Sequence, residues 1–317
     1  MSAPDPAPAV SIAPYLRRIG RGKDGARALS REQAHDLMAA VLDERVSLVE
    51  QGAFAIAMRI KGETPEELAG FMDAVAPRLL PLPAAAAGGA VVLPSYNGAR
   101  KLPNLVPLLA ALLARQGVSV LVHGLPEDPG RVTSAAIFDA LGLPGCSDAD
   151  MVARRWHDGA AAFMPTDALH PPLARLLGLR RLIGLRNPAH SLAKLLPAVQ
   201  GAVRVVNHTH PEYAHSLGHF LALTGADALL MHGTEGEPVA DARRCPRMGA
   251  FVSGQAREDL SVPAQAGPLA TLPDLPTDIS PEATARYTHE VLAGDKAVPA
   301  PLQAQVRALL DLVAARR

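Results

Sequence analysis

Residues 90–101 read AVVLPSYNGARK. Ala90–Leu93 is a short apolar run that predicts a strand, and the polar, turn-forming Pro94–Lys101 follows it directly. The same figure recurs downstream. Val118–Val122 ends at His123-Gly124-Leu125-Pro126-Glu127-Asp128, Val203–Val206 runs into Asn207-His208-Thr209-His210-Pro211, and Ala228–Met231 runs into His232-Gly233-Thr234-Glu235-Gly236-Glu237. Ala160–Met164 and Ala250–Val252 are two further apolar runs. Helical stretches such as Asn104–Gln116 and Val132–Leu141 lie between them. Short, nearly continuous apolar strands that alternate with helices imply an α/β fold with a mostly parallel central sheet covered on both faces. In such sheets ligands gather at the carboxyl ends of the strands, so the polar loops there are the candidate site.

The chain before this region has a different rhythm. Ser30 opens S-R-E-Q and Ser47 is followed three residues later by Glu50, each a capping-box pattern. Thr64, Pro65 and Glu67 give a third start, with a cap, a proline at the first helical position and an acid in the first turn. Behind these starts, Ala34, Leu37, Met38, Val41 and Leu42, then Phe54 and Met58, then Leu68, Phe71, Met72 and Val75 recur on one helical face. The Pro/Ala/Gly-rich stretch 81–90 reads as a hinge. The expected organisation is a helical domain over 1–82, with a flexible tail at 1–11, and an α/β domain over 83–317. Residues 170–200 are expected to pack on the helical domain.

Composition bounds the function. The 317 residues are 49% hydrophobic and 20% charged, as in ordinary globular proteins. Cys146 and Cys245 are too few for a disulfide framework or a cysteine-based zinc site, and both read as reduced and structural. The N-terminus lacks a signal-peptide pattern and no apolar stretch is long enough to span a bilayer, so a cytoplasmic location without membrane is expected. Formal net charge is zero, with 31 basic and 31 acidic residues, but the distribution is uneven. Tyr15–Arg31 carries six cations (Arg17, Arg18, Arg21, Lys23, Arg27, Arg31) against Asp24 alone, and 168–211 carries six more with no acid. Such asymmetry can build a basic surface on a neutral protein; dispersal over different faces is the alternative.

Single motifs are weakly specific. A loop such as Ser95–Lys101 can cradle a phosphate on backbone N–H groups, with Arg100 and Lys101 adding charge, or can be an ordinary β-to-α connection. His215 and His219 are four apart on a helix that starts near Pro211, a spacing compatible with zinc, but the chain offers no H-E-x-x-H pattern and no nameable third ligand. Ser191, beside His190, has no partner to orient a base.

The order and spacing of these loops, behind a helical domain, resemble the anthranilate phosphoribosyltransferase family (glycosyl transferase family 3) over roughly Ile12–Leu312. The family's GTGGD loop falls on Pro94–Gly98, its KHGNR loop on Val122–Pro126, its Arg-rich segment near Arg175–Asn187 and its acidic, magnesium-linked motif on Gly233–Pro238. Within the family, PSYNGARK (Pro94–Lys101), Val122–Arg131, Arg186–Leu195, H-P-E-Y (His210–Tyr213), Leu229–Glu237, Ile19–Lys23 and Arg59–Glu63 are similar to the YbiB-type DNA-binding subgroup. That resemblance implies a phosphoribosyltransferase/nucleoside-phosphorylase-like fold. It also implies a homodimer through the helical domain and a basic groove that binds nucleic acid with little sequence preference.

The chain departs from the catalytic pattern at several points. Ser95 and Tyr96 replace two glycines of the phosphate loop, Pro94 removes a backbone donor, and Tyr96 is expected to fill the phosphate space. Val122 and Pro126 replace the basic ends of KHGNR. Glu237-Pro238 stands where the family has adjacent acids, leaving Glu235 and Glu237 as weak metal candidates. No catalytic residue and no cofactor are expected. Arg17, Arg18, Arg21, Lys23, Ser95, Asn97, Gly98, Arg100, Lys101, His123, Arg186 and Lys194 are the expected contacts to DNA or another nucleic acid, with Tyr15, Tyr96 and Trp156 available for base stacking if exposed. The alternative is an active phosphoribosyltransferase using phosphoribosyl pyrophosphate and magnesium with an unknown acceptor.

Overall fold

The computed structural model describes residues 10–267, 269 and 271–316, without the side chain of Lys23. Most of the expected N-terminal tail, residues 1–9, lies outside the described residues. The chain divides into two compact units, one reaching to Leu79 and taking in His170–Leu196, the other comprising Leu80–Leu169 and the chain from Pro197 onward.

The first unit is helical: Ala13–Ile19, Gly22–Gly25, Arg31–Leu42, Leu48–Lys61, Pro65–Val75, Pro171–Ile183 and Ala189–Leu192. Ser30, Ser47 and Thr64 each close a reciprocal capping box with Gln33, Glu50 and Glu67, so the orphan N–H groups of three helix starts are satisfied locally. The apolar stripes of those helices meet. Leu37, Met38, Phe54, Met58 and Phe71 are buried, and the rings of Phe54 and Phe71 pack edge to face at 5.9 Å. His170–Leu196 joins this unit through directed bonds: His170 Nε2 lies 3.0 Å from Val75 O and Arg175 donates to Leu42 O at 3.3 Å. Asn187 Nδ2 donates to Leu176 O at 2.8 Å, folding the segment back on itself.

Glu67 does more than cap. Its buried carboxylate accepts from Leu29 N at 2.9 Å, Thr64 N at 2.9 Å and Lys61 Nζ at 2.6 Å. Removing one member of a buried ion pair strands the other charge out of water.

The second unit is a seven-stranded sheet: β1 (Ala90–Ser95), β2 (Ser119–Gly124), β3 (Ala162–Pro165), β4 (Val203–His208), β5 (Ala228–His232), β6 (Met248–Val252) and β7 (Gln255–Val262), in the order β3-β2-β1-β4-β5-β6-β7. Pairing is parallel from β3 to β5 and antiparallel between β5, β6 and β7. Every residue of β1 and β2 is buried, which is why their sequences show no polar alternation. Helices Val106–Ala114, Ser134–Ala140, Pro281–Ala293 and Ala300–Ala314 supply Leu109, Leu113, Phe138, Val291, Leu309 and Leu312 to its core. Strands β1 and β2 extend two residues past the expected ends, carrying Ser95 and Gly124 into the sheet in register with each other.

Strand β7 was not expected from the sequence. QAREDLSV is polar because this edge strand is largely exposed, and Arg257–Asp259 are the charges that guard such an edge. The signal was the two-residue turn Ser253-Gly254 (φ 49° and 77°) joining Val252 to its partner Gln255. No helix among the described residues is long and apolar enough to cross a membrane. Cys146 is buried and Cys245 half-buried, both as free thiols.

The Glu67 clamp yields a first prediction. Glu67→Ala should lower the free energy of denaturant unfolding by about 3–5 kcal/mol, the usual cost of stranding one partner of a buried ion pair. A loss below about 1 kcal/mol, the range of exposed pairs, would show that Lys61 escapes to water and the clamp is dispensable.

Candidate functional site

The parallel sheet brings the loop after β1 beside the loop after β5, because only β4 lies between these two strands. In the second loop, Glu235 (φ 51°) and Gly236 (φ 86°) are both left-handed, and Thr234 pairs with Glu237 across a tight turn. A Cβ on Gly236 would sit 1.7 Å from Asn97 Nδ2, so glycine is required there by contact as well as by φ. Two asparagines hold this turn. Asn97 Nδ2 donates to Glu235 O at 3.1 Å, and Asn207 Nδ2, at the end of β4, donates to Gly236 O at 2.6 Å.

The turn delivers two carboxylates onto the backbone of the first loop. Glu237, 1% exposed, accepts from Asn97 N at 2.6 Å and Gly98 N at 2.9 Å through Oε1, and from the Ser95 hydroxyl through Oε2. Ser95 Oγ also lies 2.7 Å from Ser134 Oγ, to which Asn104 Nδ2 donates at 3.1 Å. Glu235 Oε2 accepts from Arg100 N at 2.9 Å, Lys101 N at 3.1 Å and Leu102 N at 3.2 Å. Ala99 N, between the two groups, donates to Val132 O at 2.8 Å. All six N–H groups from 97 to 102 therefore end on acceptors of the same chain. Burial works to raise the Glu235 carboxyl, but the three N–H donors and the Arg100 charge outweigh it and hold the group below the ordinary carboxylate range.

These contacts correct several expectations. Ser95, Asn97 and Gly98 come together as expected, but their donors face Glu237 rather than a ligand. Tyr96 is not free to stack on a base. It is 8% exposed, with its hydroxyl 2.9 Å from His123 Nδ1 and 3.0 Å from Thr166 Oγ1. Thr166 Oγ1 donates in turn to Gly124 O at 2.9 Å. His123 is wholly buried, and burial pushes its pKa down to about 3, so it is a neutral core group rather than a phosphate contact. Trp156 is half-buried with Nε1 donating to Val120 O at 2.9 Å, which ties its ring to β2. Glu235 and Glu237 do not fit a paired magnesium site, because both Glu237 oxygens and Glu235 Oε2 already accept from N–H or hydroxyl donors of the first loop. Among the described residues no three His, Cys, Asp or Glu side chains could hold a metal ion; the rings of His215 and His219 lie 4.3 Å apart, tilted by 51°, with no third ligand.

The cations fall into separate groups. Arg100 and Lys101 are exposed beside the clasp in the α/β unit. Sequence reasoning missed Arg243, which is held by Asp241 through bonds of 3.0 and 2.8 Å and lies close enough to feel the Glu235 charge. The run D-A-R-R-C-P-R, 241–247, was its only signal. In the helical unit Arg17, Arg18 and Arg21 are exposed at the end of Ala13–Ile19 and just beyond it, with Arg18 Nε donating to Ala28 O at 2.8 Å. Lys23 sits in Gly22–Gly25, its side chain outside the described residues. Arg186 and Lys194 are half-buried and converge with Arg180 on His190. Burial, joined by the charges of all three, lowers the His190 pKa to about 4.

Comparison with known proteins agrees with this architecture. Residues 13–77 match the model of the glycosyl transferase family, helical bundle domain. The chain is 40% identical over 298 residues to the Escherichia coli (strain K12) protein YbiB, covering 93% of this chain and 92% of that one. It is 30% identical over 208 residues to the anthranilate phosphoribosyltransferase of Anaeromyxobacter sp. (strain Fw109-5), covering 63% and 62%. The crystal structure of anthranilate phosphoribosyltransferase from Thermus thermophilus superposes with a TM-score of 0.70 at 23% identity, over 92% of this chain and 90% of that one, a likeness of fold. The chain belongs to the anthranilate phosphoribosyltransferase-like family, glycosyl transferase family 3.

The buried histidine predicts a pH dependence. With a folded pKa near 3 against an ordinary 6.5, the unfolded chain binds a proton across that window that folded His123 does not. Stability should therefore fall as pH drops below 6.5, by up to about 1.4 kcal/mol per pH unit for this one site. His123→Phe should flatten the dependence of unfolding free energy on pH by that proton's share. An unchanged slope would mean that His123 is protonated in the fold.

Proposed function

We propose that this protein is a catalytically eroded member of its family that binds nucleic acid, DNA in the first instance, through sequence-independent contacts to phosphates. The observation that carries the reading is the occupied loop. Its backbone donors end on Glu237, Val132 and Glu235, and the charged side chains left exposed beside them are those of Arg100 and Lys101. A site in this state offers a small pyrophosphate donor neither a cradle nor a paired-carboxylate metal site. It does offer cations to a polyanion.

Three further features support the reading. The exposed Arg17, Arg18 and Arg21, and the convergence of Arg180, Arg186 and Lys194, give the helical unit its own basic groups. Arginine predominates over lysine, which suits bidentate phosphate contact. The similarity to YbiB extends over 93% of this chain. The reading includes a homodimer through the helical unit and a cytoplasmic location. For the dimer, the exposed Leu48, Val49 and Ile60 on Leu48–Lys61 and Leu182 on Pro171–Ile183 supply apolar surface in need of a cover.

The test is fluorescence anisotropy with labelled single- and double-stranded DNA of unrelated sequences over a range of salt. Binding should be indifferent to sequence, and log K should fall with log salt by about 0.9 per phosphate neutralised. Arg100→Glu with Lys101→Glu, and separately Arg21→Glu, should weaken binding uniformly across sequences and reduce the salt slope by about one per contact removed. No binding at low salt, together with turnover of phosphoribosyl pyrophosphate in the presence of magnesium, would replace this reading with the transferase.

A further inference from the structure

Asn97, Gly98, Arg100, Lys101 and Leu102 turn their N–H groups onto two carboxylates that lie more than 130 residues away in sequence. Successive backbone N–H groups converging on one spot form a nest, and a nest selects an oxyanion by geometry and by partial charge. Three donors on the single atom Glu235 Oε2, at 2.9, 3.1 and 3.2 Å, are more than a side-chain cap supplies and match what a phosphate oxygen receives in a backbone cradle. The Ser95 hydroxyl and two more N–H groups do the same for Glu237. The guanidinium groups of Arg100 and Arg243 both act electrostatically on Glu235, so the outer half of the nest is a cationic spot already neutralised from within.

We propose that residues 97–102 form an oxyanion nest whose resident ligand is the chain's own Glu235 and Glu237, and that emptying its outer half creates a site for inorganic phosphate. The two carboxylates act as an internal phosphate mimic. They keep the loop in the shape an anion would impose and, by holding the donors, exclude a free anion. The turn is built to stay in place. Asn97 and Asn207 grip its backbone, and Gly236 makes the contact with Asn97 that no other residue could. The inference concerns the backbone of the loop and stands apart from whether the exposed cations bind nucleic acid.

Glu235 is the residue to remove, because it is half-buried and its loss uncovers three N–H groups to water. Glu237 is wholly enclosed, and its loss would leave buried donors unpaired. The experiment compares the full-length wild type, Glu235→Ala and Glu235→Gln by isothermal titration with inorganic phosphate and by thermal unfolding in phosphate against sodium chloride of equal ionic strength. Glu235→Ala should bind phosphate about tenfold or more tightly than the wild type. It should also unfold at a lower temperature than the wild type in chloride and recover in phosphate in a saturable way, as mass action requires. Glu235→Gln keeps an oxygen acceptor over the nest and should not gain binding.

Phosphate binding by the wild type equal to that of Glu235→Ala, or none by either, would overturn the proposal. Should Glu235→Ala fail to fold in chloride, refolding in phosphate becomes the readout, and failure in both media would equally overturn it. DNA anisotropy on the same proteins separates the two readings, since absence of DNA binding by the wild type, together with the phosphate gain in Glu235→Ala, would sink the nucleic-acid proposal alone.

Discussion

The buried carboxylate of Glu237 is the constraint on which the α/β unit's functional end depends. It sits where β1 ends, with two N–H donors and a hydroxyl directed at it, and it comes from a loop entered from β5. A charge so enclosed is tolerable only if its acceptor sites are met by good donors, because an unpaired one would cost several kcal/mol. The loop after β1 must therefore keep its donors pointed inward, and the turn 233–238 must stay left-handed at Glu235 and Gly236. Asn207, at the end of the intervening β4, completes the arrangement by holding Gly236 O. Three neighbouring strand ends are thus locked by one acid and two amides.

The sequence made much of the fold legible because the physics there is local. Helix starts at Ser30, Ser47 and Thr64 are written in residues three apart, and β1, β2, β4 and β5 in nearly continuous apolar runs, that of β4 interrupted by Arg204. Strand β7 escaped because it obeys the opposite rule: an exposed edge is polar, and its evidence lay in the Ser253-Gly254 turn rather than in its own residues. The expected strand boundaries fell short at Ser95 and Gly124 for a related reason, since polar residues at the carboxyl ends of strands look like loop until register places them.

The site was legible in position and not in content. The strand-end loops were the right places, but the pairing of Asn97 with Glu237 spans 140 residues and leaves no periodic trace. Glu235 and Glu237 were weak metal candidates because they fall on the family's acidic, magnesium-linked motif, although alternate acids in a loop need not face one cation. In the fold, the left-handed pair at Glu235-Gly236 turns both acids toward the neighbouring backbone instead. Tyr96 illustrates the same limit. Its size argued for occlusion of a phosphate, whereas in the fold its hydroxyl lies in the interior against His123 and Thr166.

A net charge of zero is a poor guide to what such a surface presents. Formal counting sets every acid against every base, whereas Glu67 and Glu237 are withdrawn into the interior and face donors of their own chain. Asp43, Asp73 and Asp259 are each engaged by an arginine, at 2.6 Å in every case. The stretch 168–211 has no acid with which to balance its six cations locally. At Glu235 the balance is deliberate in the structural sense: one carboxylate meets three N–H dipoles and feels two guanidiniums, and removing it would turn the loop from a neutral clasp into a positively polarised one. The fold therefore satisfies the donors of its strand-end loop internally, with two acids of its own chain, within a framework shared with phosphoribosyltransferases.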